Sequence, residues 1–284
     1  MSVIKRNKEY VFVCLFIVIV ILIQLFMNTN AGYVIPRYLG DESYRLMLEK
    51  EGRTAMEILW GNFQREPIGN QIIFSTTLFQ IIITFIAGLG GLQFCLKFRS
   101  IEKMKYYRYH SMRRAFYLDC LRYSLKWAAA IFAGYLIIYA LLCVCTSVPD
   151  TDYSQIPRTL FLDILGQDFY FDHHRLYWFM EGCVRFLWIP FTYAFFTCAL
   201  SITAYNSKIV YLIPNLYYII LTAFCATVLN GLLGLSWLAN ILNPSVVMAS
   251  STYEISTPML LLPTLIPVII SVCLIERYME KDVL

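Results

Sequence analysis

Few residues in this 284-residue chain combine a reactive type with a useful spacing. Glu181 and Arg185 stand four apart at the start of an apolar run, the spacing at which opposite charges share one helix face. Arg185, close to a membrane edge, is expected to snorkel outward. His173 and His174 follow Asp168 and Asp172, a composition that invites a metal. Adjacent histidines on a helix point in different directions, so a shared ion is awkward and a solvated loop is the plainer expectation. Cys143 and Cys145 form the one close cysteine pair, without the further ligands a zinc site needs. The nine cysteines mostly fall in apolar runs and read as small packing hydrophobes, with no disulfide framework. The GxxxxGK[ST], HExxH and GxSxG patterns do not occur, so no nucleotide, metal or acyl-transfer chemistry is expected, and no cofactor. The apolar runs carry no run of charged residues that would relay ions or protons.

The elements that hold these residues are set by composition. The chain is 59% hydrophobic and 15% charged, with a mean hydropathy of +0.60. Soluble domains carry about 25% charged residues. The expected fold is therefore an all-α integral membrane protein, in which backbone groups satisfy one another within helices. Six runs come near the roughly 20 residues that cross a bilayer. They are Val11–Met27, Gln71–Leu96, Trp127–Cys145, about Cys183–Ala204, about Ile209–Leu229 and about Met259–Ile275. The first follows Lys5, Arg6 and Lys8. It is longer than a signal-peptide core and lacks an AxA-like site, so it reads as a retained span.

Charge orients the spans. The stretch Lys97–Lys126, KFRSIEKMKYYRYHSMRRAFYLDCLRYSLK, carries nine basic residues against Glu102 and Asp119. The positive-inside bias keeps such a block in the cytoplasm. Both termini then lie inside, with fifteen of the 23 basic residues on the inner side and eight on the outer. A plasma-membrane, multi-pass protein with cytoplasmic termini is the expectation.

The connecting segments differ in character. In the first outer segment, residues 28–70, the stretch Asp41–Trp60 reads as a helix lying at the outer interface or packed over the outer end of the bundle, with a substrate lid as the sharper alternative. In the second, residues 147–180, Tyr177, Trp178 and Phe179 resemble an interfacial aromatic belt. Residues 230–258 are apolar and contain no Lys or Arg, yet are broken by Gly231, Gly234, Asn243 and Pro244. They read either as a re-entrant helical hairpin with its bends buried in protein or as a longer, irregular fifth span. The stretch Ala87–Gly91 offers small-residue spacing for close helix approach.

One resemblance follows from these residues. Arg108-Tyr109-His110-Ser111-Met112-Arg113-Arg114, then Phe116-Tyr117-Leu118 and the third span, resembles the cytoplasmic stretch of type-two ABC exporter permeases, above all bacterial members that pair with a separate ATPase. The broken stretch ending Leu242-Asn243-Pro244-Ser245 resembles that family's hairpin before the last span. The resemblance covers the whole layout, and the long acidic second outer segment departs from it. It implies a six-helix half-transporter that forms a homodimer or heterodimer and binds two cytoplasmic ABC ATPase subunits. It also implies that Arg108, Tyr109, Ser111, Arg113, Arg114 and Asp119 lie where the ATPase docks. The chain itself would be a transport subunit and not an enzyme, its partners the ATPase, a second permease and the lipid bilayer, with no nucleic acid. The substrate would be a peptide, a drug or a lipid-like molecule. Two readings compete with this: the basic block as a topological anchor alone, and the chain as a non-transport sensor or immunity protein that binds an extracellular ligand.

Overall fold

The computed structural model describes residues 8–28, 30–65, 67–98, 112–146, 160–203, 206–248 and 256–279. These residues are helical almost throughout, with no strand among them. Six helical stretches are long and apolar enough to cross a membrane, which makes the chain a multi-pass membrane protein by length and composition.

The first span is α1 (Lys8–Asn28), followed by α2 (Asn30–Gly40), α3 (Glu42–Lys50) and α4 (Ala55–Arg65). The expected single helix over Asp41–Trp60 is thus two helices. Gly52, at φ +65°, turns the chain between them, a conformation that glycine adopts without strain. Each helix starts on its own cap. The Asp41 carboxylate accepts from the amides of Ser43 and Tyr44, and Thr54 and Glu57 exchange reciprocal bonds in a capping box.

The second span is broken into α5 (Ile68–Thr76) and α6 (Phe79–Lys97). Gln24 of α1 closes the break. With its amide oriented to satisfy both neighbours, it donates to the Ser75 carbonyl at 2.8 Å and accepts from the Leu78 amide at 2.9 Å. Backbone groups freed inside an apolar bundle need such a partner.

The third span, α7 (Met112–Cys145), is one uninterrupted helix of 34 residues. At 1.5 Å per residue it is about 51 Å long, well beyond the roughly 30 Å of a hydrocarbon core. After α8 (Leu162–Asp172) comes a composite fourth span: α9 (His174–Gly182), a π-helical turn at Cys183–Trp188, and α10 (Ile189–Leu200). The fifth span is α11 (Ser207–Phe224), prolonged by a π-helical segment at Cys225–Leu232. The short helices α12 (Ser236–Leu242) and α13 (Pro244–Met248) precede the last span, α14 (Thr257–Met279).

The fourth span is the hub, because α10 packs against α6, α7, α11 and α14. Glycines bring the helices close. A Cβ on Gly90 would lie 2.5 Å from Trp127 Cγ, and one on Gly134 would lie 2.7 Å from the Cys14 carbonyl. The small residues near Ala87–Gly91 therefore serve packing, as their spacing implies: Trp127 lies over Gly90 and donates to the Ile86 carbonyl at 2.8 Å. The end of α14 meets the start of α7, and the start of α1 meets α7 further along. Tyr10 meets Trp127 edge-on, and Arg113 pairs with Glu276.

Candidate functional site

The most unusual chemistry is inside the fourth span. Pro190 lacks an amide hydrogen, so the Phe186 carbonyl would have no donor in a regular α-helix. The preceding turn widens into a π-helix, a feature that often marks functional positions. Arg185 lies in this turn and Glu181 one turn before it. Arg185 Nη2 and Glu181 Oε2 are 2.5 Å apart, and the side chains are 3% and 0% exposed. The pair at i and i+4 forms as its spacing implies. The outward snorkelling expected of Arg185 does not occur: the guanidinium is buried in the bundle beside its counter-charge.

Tyr135 of α7 closes this centre from the opposite side. Its hydroxyl donates to the Trp178 carbonyl at 3.0 Å, and its ring stacks on Phe186 with centroids 4.6 Å apart and planes 8° from parallel. The ring fits only because position 182 is glycine; a Cβ there would overlap the ring edge. Both charges act electrostatically on Tyr135. A salt bridge so enclosed is held mainly because separating it would strand a charge in a low-dielectric interior.

Tyr177 and Trp178 correct the aromatic-belt expectation. Both are fully buried. Trp178 lies over Gly69, where a Cβ would come within 2.7 Å of the indole. Tyr177 stands edge-on to Tyr170 at 4.8 Å and donates its hydroxyl to the Leu160 carbonyl. These aromatics are the core of a cap on the bundle rather than a lipid-facing rim. The cap is fastened to the last span by Asp163, whose carboxylate accepts from the Thr257 amide at 2.8 Å and from the Thr257 hydroxyl at 2.5 Å. A carboxylate at the first turn of α14 meets the unpaired amides and the positive end of the helix dipole. His173 lies edge-on to Phe169, and no cluster of three metal-ligating side chains occurs among the described residues.

At the opposite end, α7 begins among charges. Arg113 and Glu276 form an ion pair with both side chains about two-fifths exposed, tying the start of α7 to the end of α14. Arg114 is exposed and Asp119 half-buried on the next turns. The underside of this stretch buries Phe116 and Cys120 against Phe94, Phe98, Phe195 and Ile275. Arg108, Tyr109 and Ser111 lie outside the described residues.

The four bend residues have distinct places. Gly231 sits within the second π-helical segment. Gly234, at φ +65°, makes the turn after it. Asn243 separates α12 from α13, and its side-chain oxygen accepts from the Ser245 amide at 3.0 Å and hydroxyl at 2.9 Å. Pro244 opens α13, where its missing amide hydrogen is not needed. Helix α13 buries Val246, Val247 and Met248 and packs against α6, α11 and α14.

The roles of Gln24 and Asp163 did not emerge from sequence reading. A lone Gln in the aliphatic run Val11–Met27 was the available signal for the first. For Asp163, a residue nearly a hundred positions from its partner, the sequence carries none. No protein-family model, curated protein or solved structure matches this chain.

Proposed function

We propose that the chain is the transmembrane subunit of an ATP-driven exporter, working with a separate cytoplasmic ABC ATPase and a second permease copy. The observation that carries this reading is α7. One unbroken helix joins the charged end at Arg113 to the buried Glu181–Arg185 centre through Tyr135. Closure of ATPase subunits against residues 101–122 would move α7 along or about its axis. Tyr135 would then shift against the π-helical turn, where Glu181 and Arg185 cannot part without cost. The response is a choice between two packed arrangements rather than a gradual deformation. The exported molecule is a peptide, drug or lipid-like compound crossing at the interface of two such chains. In this reading the charged end faces the cytoplasm, as its basic excess favours, and residues 230–258 re-enter the membrane from the outer side with α13 as the inserted tip.

The rival is a sensor or immunity protein that binds an extracellular ligand. The firmly fastened outer cap, with Asp163 locking α14, is the feature that favours it.

The test is purification of the tagged chain from its own membranes, followed by measurement of bound ATPase subunit and ATP hydrolysis. Arg keeps two-pronged contacts that Lys reproduces poorly, so Arg113→Lys with Arg114→Lys should lower ATPase recovery without lowering membrane abundance. Glu276→Gln controls for loss of the internal pair. Absence of any nucleotide-hydrolysing partner would overturn the proposal. Unchanged recovery in the double Lys variant, with loss only in double Ala, would leave the block as a charge anchor.

A further inference from the structure

Helices α1 and α7 run parallel and meet tightly at Gly134, whose Cα faces Cys14 and Ile17. Closer to the charged end they stay in contact through Tyr10 and Trp127, but one flank of that contact is left open. Ala129, Ala130 and Ala133 are too small to fill the space beside Tyr10 and Cys14, and a groove of about 560 Å³ opens there. Its walls are almost wholly apolar. Lys126 is the one charged residue lining it, and no carboxylate pairs with Lys126 among the described residues. The side chain is exposed and, like every helical side chain, leans toward the N-terminus of its helix, here the charged end. The groove is thus an apolar slot with a cation at its mouth. One turn before Lys126 on α7, the Tyr123 hydroxyl is in contact with Lys97.

We infer that this groove is a binding site for one anionic phospholipid, its acyl chain lying along Ala129, Ala130 and Ala133 and its phosphate meeting Lys126. Two features select this occupant. The slot opens on the outer surface of the bundle beside α1, whose exposed face is a row of Val, Leu, Phe and Ile side chains, so lipid is the medium it faces. The Lys126 ammonium at the mouth is complementary to a phosphate in a headgroup, as in basic pockets between membrane helices, while a lysine stem lies along apolar walls with its charge at the surface. A second copy of the chain would instead have to cover Lys126 without a visible counter-charge, at a desolvation cost. The inference needs only the membrane setting and holds whether or not the chain is a transporter.

Native mass spectrometry of the full chain in detergent tests it, with dioleoylphosphatidylglycerol or dioleoylphosphatidylcholine titrated in. The wild-type chain should retain one phosphatidylglycerol in preference to phosphatidylcholine. Lys126→Gln should reduce phosphatidylglycerol retention to the phosphatidylcholine level. Ala129→Phe, a change at an exposed position that fills the slot, should remove retention of both. Arg122→Gln, exposed on the same helix but outside the groove, should change nothing. Equal retention of the two lipids by wild type would overturn the site, as would a preserved preference in Lys126→Gln or an equal loss in Arg122→Gln. Cross-linking of Ala129→Cys between two chains in membranes would assign the groove to a second copy and also overturn it.

Discussion

The first and fourth spans are opposites. The first, Lys8–Met27, has the highest mean hydropathy of the six, and only 22% of its apolar window is buried in protein. The fourth, His174–Leu200, has the lowest, and 78% of its window is buried. In water the more apolar element goes inside. In a bilayer the lipid is as apolar as leucine, so hydrophobicity records contact with lipid, and protein–protein contact is made by small and polar groups. Gly182, Glu181, Arg185 and Thr197 are therefore at the centre, while Phe12, Ile19 and Ile23 face outward.

Removing one charge should give the largest contrast between these spans. Glu181→Gln or Arg185→Ala leaves its partner uncompensated and should cost about 3–5 kcal/mol, read as a loss of thermal stability in detergent. Replacing both together with Leu and Met should recover much of that loss. Phe12→Ala, at a position 70% exposed, should cost almost nothing in the same assay. A mild effect of Arg185→Ala would mean that the centre is wetter than its burial implies.

Packing gives the next contrast. Gly182→Ala would drive a methyl group into the Tyr135 ring, an overpacking change of about 1–3 kcal/mol. Gly61→Ala, with nothing within 4 Å of its Cβ, should be neutral or slightly stabilising. Comparing the two by thermal unfolding sharpens the comparison by separating closeness of contact from helix propensity.

The smallest effect concerns a carboxylate in water rather than in the bundle. Hydrogen bonds from the Ser43 side chain and the Tyr44 amide hold the Asp41 carboxyl below its ordinary range. A folded-state value that is depressed gives stability that is present above the unfolded value and is lost as pH falls through the folded one. Amide exchange at Ser43 and Tyr44 should therefore quicken on acidification below about pH 4, with no change in the fourth span. Asp41→Asn should abolish that pH dependence. Equal quickening in both places would show that the cap and the bundle unfold as one unit.

The six spans were legible because length and composition are all that a span requires. The i and i+4 relation of Glu181 and Arg185 was legible because helix geometry fixes it. The direction of Arg185 was not. A hydropathy pattern tells lipid from water but not lipid from a neighbouring helix, so a membrane edge and a buried counter-ion look alike. Tyr177 and Trp178 were misread for the same reason: an aromatic cluster between two apolar stretches suits both a belt and a core, and only Gly69, over a hundred residues away, decides for the core. The division of Asp41–Trp60 was within reach, since Gly52 and the Thr54–Glu57 capping box both mark a boundary there.

The spacing of Glu181 and Arg185 also bears on how the chain enters a membrane. An isolated acid or base at the middle of a helix adds about 2.5–3.5 kcal/mol to its insertion free energy. Here each charge arrives with its neutraliser one turn away on the same segment, so part of that cost is offset within the fourth span itself. The least apolar span of the six can thus be delivered during synthesis as a nearly neutral object, before the fifth and last spans that pack on it are made. Moving the arginine to another span would preserve the finished contact on paper and remove that advantage during biogenesis.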